Sequence, residues 1–224
     1  MEEVSEKVSA QTVVKTEYRK VRVRYGKTGF ARFISQLDMY KLFLPAFRRA
    51  DISARYTAGF NPQLYLAFAF PLPTGVSGEC EYLDFLCETG TLTDAEITQR
   101  LSASLPQGFA VYESYTPVRS EKDVSFARYD VCADDVTLPL WRDFLAQDSV
   151  IITKRGKKNG VKTDVEVEII PHARMFGNLL QLPAGVSFTL NPALVCGAFE
   201  RFAGVAVPSV RRVALFCDDG TLFS

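Results

Sequence analysis

The stretch Tyr18-Arg19-Lys20-Val21-Arg22-Val23-Arg24-Tyr25 alternates cationic and apolar side chains with a period of two. That period puts Lys20, Arg22 and Arg24 on one face of a β-strand and Val21, Val23 and Tyr25 on the other. Gly26 and Gly29 end the run. Downstream, Ser35 stands in an N-cap position with Asp38 three residues on, and Leu37, Tyr40, Leu44 and Phe47 share one face of a helix over residues 36–50. Pro45 removes one backbone hydrogen bond from that helix and predicts a kink. Residues 53–57 and 64–70 read as extended, the latter ended by Pro71-Leu72-Pro73-Thr74-Gly75, and residues 81–87 read as another strand. Thr93 and Glu96 make a capping box for a helix over 94–104, and residues 109–115 form a last strand. The order strand, helix, strand, strand, helix, strand is the ferredoxin-like βαββαβ arrangement.

The same order repeats beyond a polar linker over 118–125: strand 127–133, helix 138–147, strands 149–155 and 163–170, helix 191–202, strand 209–217. Val150 and Ile152 face Val165, Val167 and Ile169 across the turn Gly156-Lys157-Lys158-Asn159-Gly160, a hairpin signature. Asn191-Pro192 opens the second helix of this half, and Gly204 closes it. The expected architecture is α+β, with tandem ferredoxin-like domains built on antiparallel sheets. A disordered tail covers 1–16, the first domain 17–117, and the second 126–224, with a hairpin or loop inserted at 172–189.

Formal net charge is zero, so attraction to nucleic acid has to come from local segregation of charge. Such segregation is present. Between Arg19 and Arg55 there are ten basic residues against Asp38 and Asp51, and from Tyr56 to Gln99 there is no Lys or Arg. The acidic start, Met1-Glu2-Glu3, lacks the apolar segment of a secretory signal, and no apolar run is long enough to span a bilayer. A cytoplasmic protein without membrane contact is expected. Five scattered cysteines without a Cys-x-x-Cys and a single histidine, His172, read as reduced thiols and a structural histidine, with no metal and no cofactor. No phosphate loop, dinucleotide fingerprint or metalloprotease motif occurs, so no catalytic residues are assigned.

In a ferredoxin-like sheet the face opposite the helices is free, and Lys20, Arg22 and Arg24 would stand on it, where Arg in particular can meet phosphate bidentately. The next strand carries Glu79, Glu81, Asp84 and Glu88, so internal cross-strand pairing is the competing reading. The same ambiguity applies to Lys154, Arg155, Lys157, Lys158 and Lys162 opposite Asp164, Glu166 and Glu168. Two polar junctions accompany the stripe: Arg32-Phe33-Ile34-Ser35-Gln36-Leu37-Asp38, and Ala58-Gly59-Phe60-Asn61-Pro62. Capping explains Ser35 and Asp38, and turn chemistry explains Gly59 to Pro62, when each is taken alone.

Lys20 to Gly29, Ala31 to Asp38, Phe47-Arg48-Arg49-Ala50, Gly59 to Pro62, Pro71 to Gly75 and Glu81-Tyr82-Leu83-Asp84 together resemble the radical SAM-linked family. This is a domain of unknown function found beside, or fused to, cobalamin-binding radical SAM proteins. The resemblance is close over 18–90 and implies an accessory role beside a radical enzyme, in RNA modification. Gln36 and Gln63 stand where that family would place histidines, and glutamine neither shuttles protons near neutral pH nor readily ligates a metal. The expectation is therefore a non-catalytic partner of a radical SAM protein that grips RNA through Lys20, Arg22, Arg24, Arg32, Arg48 and Arg49. Ser35, Gln36, Asp38, Gly59, Phe60, Asn61 and Gln63 would shape an adjoining polar pocket. An RNA-processing or RNA-modifying enzyme, or a pure protein-interaction module, are the alternatives.

Overall fold

A computed structural model describes residues 16–158 and 161–224, with side chains left out of the description over 154–165. All but residue 16 of the tail expected over 1–16, the turn residues Asn159 and Gly160, and the pairing of Lys154, Arg155, Lys157, Lys158 and Lys162 with Asp164, Glu166 and Glu168 lie outside the described residues.

The first half follows the sequence pattern closely. Strand β1 (Tyr18–Lys27) leads through a 3-10 turn (Gly29–Phe33) into helix α1 (Gln36–Arg49), followed by β2 (Leu66–Ala69), β3 (Ser77–Glu88), α2 (Asp94–Ser104) and β4 (Phe109–Tyr115). Helix α1 continues past Pro45 to Arg49. Thr93 and Glu96 complete the reciprocal capping box of α2. Val21, Val23, Leu83 and Phe85 from the sheet pack on Phe43 and Phe47 of α1 and on Ile97 and Leu101 of α2. Phe47 meets Phe85 edge to face at 4.8 Å, a favoured aromatic geometry.

The second half comprises β5 (Val124–Asp130), α3 (Thr137–Leu145), β6 (Ile151–Lys158), β7 (Val161–Glu168), β8 (Arg174–Phe176), β9 (Leu179–Pro183), α4 (Pro192–Ala203) and β10 (Arg211–Cys217). Its core stacks Trp141 on Phe199 with ring centroids 3.8 Å apart, beneath Tyr129, Leu180, Leu182 and Leu215. Strand β5 starts three residues earlier than the pattern suggests. It stops because Asp130 accepts from the Cys132 N–H at 2.9 Å while Cys132 turns to φ 56°.

Strand pairing corrects one expectation. Residues 149–155 and 163–170 were expected as the middle pair of this half's sheet, with 172–189 inserted. Instead, among the described residues, β6 and β7 pair only with each other, as a two-stranded sheet, and β8 and β9 of the supposed insertion join β5 in the large sheet. The reason is burial: Leu180 and Leu182 of β9 are fully buried against the helices, which a short run ending in proline does not announce. At the base of the β6–β7 hairpin, Glu168 accepts from the Ser149 hydroxyl, from the Val150 N–H (2.9 Å) and from the Ile170 N–H (3.0 Å).

The two halves share one eight-stranded sheet in the order β4-β1-β3-β10-β5-β9-β8, with β2 also on β3. Every pairing in it is antiparallel except β3 with β10. One edge of β3 is thus divided between β2 at Tyr82–Phe85 and β10 at Ser77–Gly78. At this seam Arg212 forms a buried bidentate pair with Glu81, and its guanidinium lies 5.0 Å from the Phe70 ring. Burial pushes the Glu81 carboxyl above its ordinary range, against the pull of Arg212. Gly78 is required there, because a Cβ would come within 2.2 Å of a Glu81 oxygen. Among the described residues, no helix is long and apolar enough to cross a membrane.

Candidate functional site

The first polar junction opens α1, and the second is tied to the same helix. Ser35 caps the helix by accepting from the Asp38 N–H at 3.2 Å, and its hydroxyl donates to the Asp38 carboxylate at 2.7 Å. The Ser35 hydroxyl, then Lys41, hold the Asp38 carboxyl below its ordinary range. One turn on, the Tyr40 hydroxyl donates to the Leu64 carbonyl and ties the helix to the second junction. That junction is a closed loop: the Thr57 N–H donates to the Gln63 carbonyl (2.7 Å), the Gln63 N–H donates to the Thr57 hydroxyl (2.9 Å), and Tyr56 bridges Leu64. Gly59 takes φ 130°, open to glycine and strained for other residues, and turns Phe60 outward.

Gln36, Asp38, Gly59, Phe60, Asn61 and Gln63 are all exposed, so the expected pocket is an open face rather than an enclosure. Four large apolar side chains on these two segments are exposed: Phe30 (92% exposed), Phe33 and Leu37 on the first, and Phe60 on the second. Phe30, Phe33 and Leu37, within eight residues of one another, depart from the scattered single apolar residues of an ordinary surface. Arg32 lays its guanidinium 4.8 Å from the Phe33 ring, and its carbonyl accepts from the Gly75 N–H at 2.9 Å, joining the face to the Pro71-to-Gly75 turn. Sequence reading missed the apolar character of this face. The available signal was the pair Phe30 and Phe33, which match no core periodicity.

The basic stripe is occupied internally. Arg22, expected on a free sheet face, is 0% exposed. Its Nε and Nη2 donate to the two oxygens of Asp84 at 2.7 and 2.8 Å, and its remaining N–H groups reach the carbonyls of Ser224 (3.0 Å) and Arg119 (3.0 Å). Phe223, itself fully buried, lies 4.4 Å from the guanidinium. The side chain therefore offers nothing to a ligand: residues 119–121 and a strap of residues 219–224 cover the face on which it was expected to be free. Lys20 pairs with Asp84 (2.9 Å) and Glu121 (2.8 Å); burial opposes its charge, but the two carboxylates outweigh burial and raise its pKa. Arg24 pairs with Glu113 at 3.1 Å at the more exposed end. Of the remaining cations, Arg48 and Arg49 are exposed in the last turn of α1, where they favour the helix dipole, and Arg49 donates to the Ser104 carbonyl at 2.7 Å.

No group of three or more metal-ligating side chains gathers among the described residues. Burial pushes the Cys80 and Cys196 thiols up to about 12, which leaves them protonated and unreactive near neutral pH.

Fold and site together define a mixed α+β protein, with four α-helices among the described residues, built on one large, mostly antiparallel sheet and carrying two exposed polar junctions that each bear an exposed aromatic side chain. Residues 20–182 match the family described as DUF2344, an uncharacterized protein conserved in bacteria, and the chain belongs to that family. No curated protein matches the sequence.

Proposed function

We propose that the protein is an accessory, non-catalytic component that works beside a radical SAM enzyme and docks a protein partner through the face formed by the 3-10 turn, the start of α1 and the 57–63 loop. The exposure of Phe30, Phe33, Leu37 and Phe60 around the two polar junctions carries this reading, because burying them against a partner is favourable and leaving them in water is not. The radical SAM enzyme enters through the resemblance of these same junctions to the radical SAM-linked family. Gln36 and Gln63, with no titration near neutral pH, favour recognition over proton transfer.

The test is capture of a radical SAM protein by the tagged full-length chain from cells that make both. Replacing Phe30 and Phe60 with Ser, at positions too exposed to affect folding, should abolish the association. If no radical SAM protein is captured, or if the double variant captures it as well as the parent, the reading fails.

In the same proposal each half is a ferredoxin-like unit. The supporting observation is the strand order around two helices in each: β4-β1-β3-β2 in the first half and β10-β5-β9-β8 in the second. The RNA contact expected of the β1 stripe is not favoured on that face, since Arg22 is buried and Lys20 and Arg24 are paired.

A further inference from the structure

The second half presents an arginine row of a different kind. Strands β5 and β9 turn Ala127, Tyr129, Leu180 and Leu182 into the core, so alternation places Phe126, Arg128 and Gln181 on the opposite, half-exposed face. Register aligns these into transverse rows. Arg128 and Arg174 both sit opposite Gln181, one on each side of it, which makes a row Arg128-Gln181-Arg174 across three strands. At the usual strand spacing the backbones of the two arginines stand about 10 Å apart. The neighbouring row is Phe216-Phe126-Pro183.

Arg128 is already held in place. Its Nε donates to the Gln181 side-chain oxygen at 2.8 Å, and its guanidinium lies 4.2 Å from the Phe176 ring and 4.3 Å from the Phe216 ring. Its Nη groups have no partner, and neither Arg128 nor Arg174 is in an ion pair, among the described residues. A fork so ordered loses little side-chain entropy on meeting an anion. Beside the row is a cavity of about 160 Å³ lined by Phe126, Pro171, His172, Arg174, Gln181 and Pro183.

We propose that this sheet face binds single-stranded RNA, with Arg128 and Arg174 on phosphates and Phe126 as a stacking platform beside the cavity. The combination selects the ligand: an acidic peptide satisfies the arginines but offers the rings a flat π-surface only where it carries an aromatic residue, whereas a single-stranded nucleic acid brings a phosphate and a base in every unit. The proposal is independent of the docking reading, which concerns the other half of the chain.

The test is fluorescence anisotropy of the full-length chain with a short labelled oligouridylate at low and moderate salt. Arg174→Ala and Phe126→Leu are each expected to weaken binding by about tenfold, and Arg174→Ala also to flatten the dependence on salt by roughly one phosphate contact. Thermal unfolding of Arg174→Ala, an exposed position, should match the parent. The proposal is overturned if no binding is seen at low salt, or if binding survives both substitutions. It is equally overturned if loss occurs only on Arg48→Ala with Arg49→Ala, which moves the contact to α1, or if polyglutamate competes as well as RNA does, which reduces the face to bare charge. Phe30→Ser with Phe60→Ser leaves RNA binding unchanged, so failure of the docking reading and of this one are separable.

Discussion

Two rows of arginines lie on the same eight-stranded sheet, and they differ in what stands next to them. On β1, Arg22 faces Asp84 across the β3 register and is sealed by Phe223; on β5, Arg128 faces Gln181 and lies between two half-exposed rings. A carboxylate on the neighbouring strand turns an arginine into structure. An amide on the neighbouring strand orients the guanidinium while leaving its charge uncompensated. Cross-strand partners, not the arginines themselves, decide which row is available to an anion.

The largest expected effect comes from breaking the occupied row. Asp84→Ala leaves the Arg22 charge buried without its carboxylate and should cost about 3–5 kcal/mol in chemical denaturation. Arg22→Met with Asp84→Leu should restore most of that stability, since replacing a buried pair with packed apolar groups is often neutral or better. If Asp84→Ala unfolds like the parent, the contrast between the rows collapses.

Next is the seam that brings the two rows into one sheet. Gly78→Ala drives a Cβ into the Glu81 carboxylate, which Arg212 holds in place, and should cost about 1–3 kcal/mol by thermal unfolding. At the exposed end of the β1 stripe, Arg24→Ala should cost at most about 1 kcal/mol, as befits a half-exposed ion pair. Arg174→Ala, in the unpaired row, should change stability by less than about 0.5 kcal/mol.

The strap over Arg22 has its own pH signature. Asp219 accepts from the Thr221 hydroxyl (2.5 Å) and N–H (3.0 Å) and from Arg119 (2.8 Å), and these bonds push its carboxyl down to about 2 from an ordinary 3.8. A depressed carboxyl stabilises the fold above its unfolded value, and that contribution is lost as pH falls through the folded value. Asp219→Asn should therefore be less stable than the parent at neutral pH, with the difference closing between about pH 4 and pH 2. A difference that persists unchanged to pH 2 would show that this carboxylate does not hold the strap.

Much of the first half was legible because its signals are local. The alternation of β1, the Ser35 cap and the Thr93–Glu96 box each act within four residues, and the elements they mark stand where they point. The two polar junctions were equally visible, but the bond from Tyr40 to Leu64 that ties the second to α1 joins residues twenty-four apart in the chain. In the second half the hairpin of β6 and β7 was read correctly as a hairpin and wrongly as part of the main sheet. Strands β8 and β9 are short, and their membership rests on packing against α3 and α4 that no local pattern encodes.

The sequence by itself determined the α+β class, most of the helix and strand positions, and the two possible fates of the basic stripe, because periodicity and capping are properties of neighbouring residues. Only the tertiary structure chose between those fates. Whether an arginine is spent or available depends on the side chain across the register and on what covers the face, and both belong to distant segments: Asp84 and Phe223 for Arg22, Gln181 and Phe216 for Arg128.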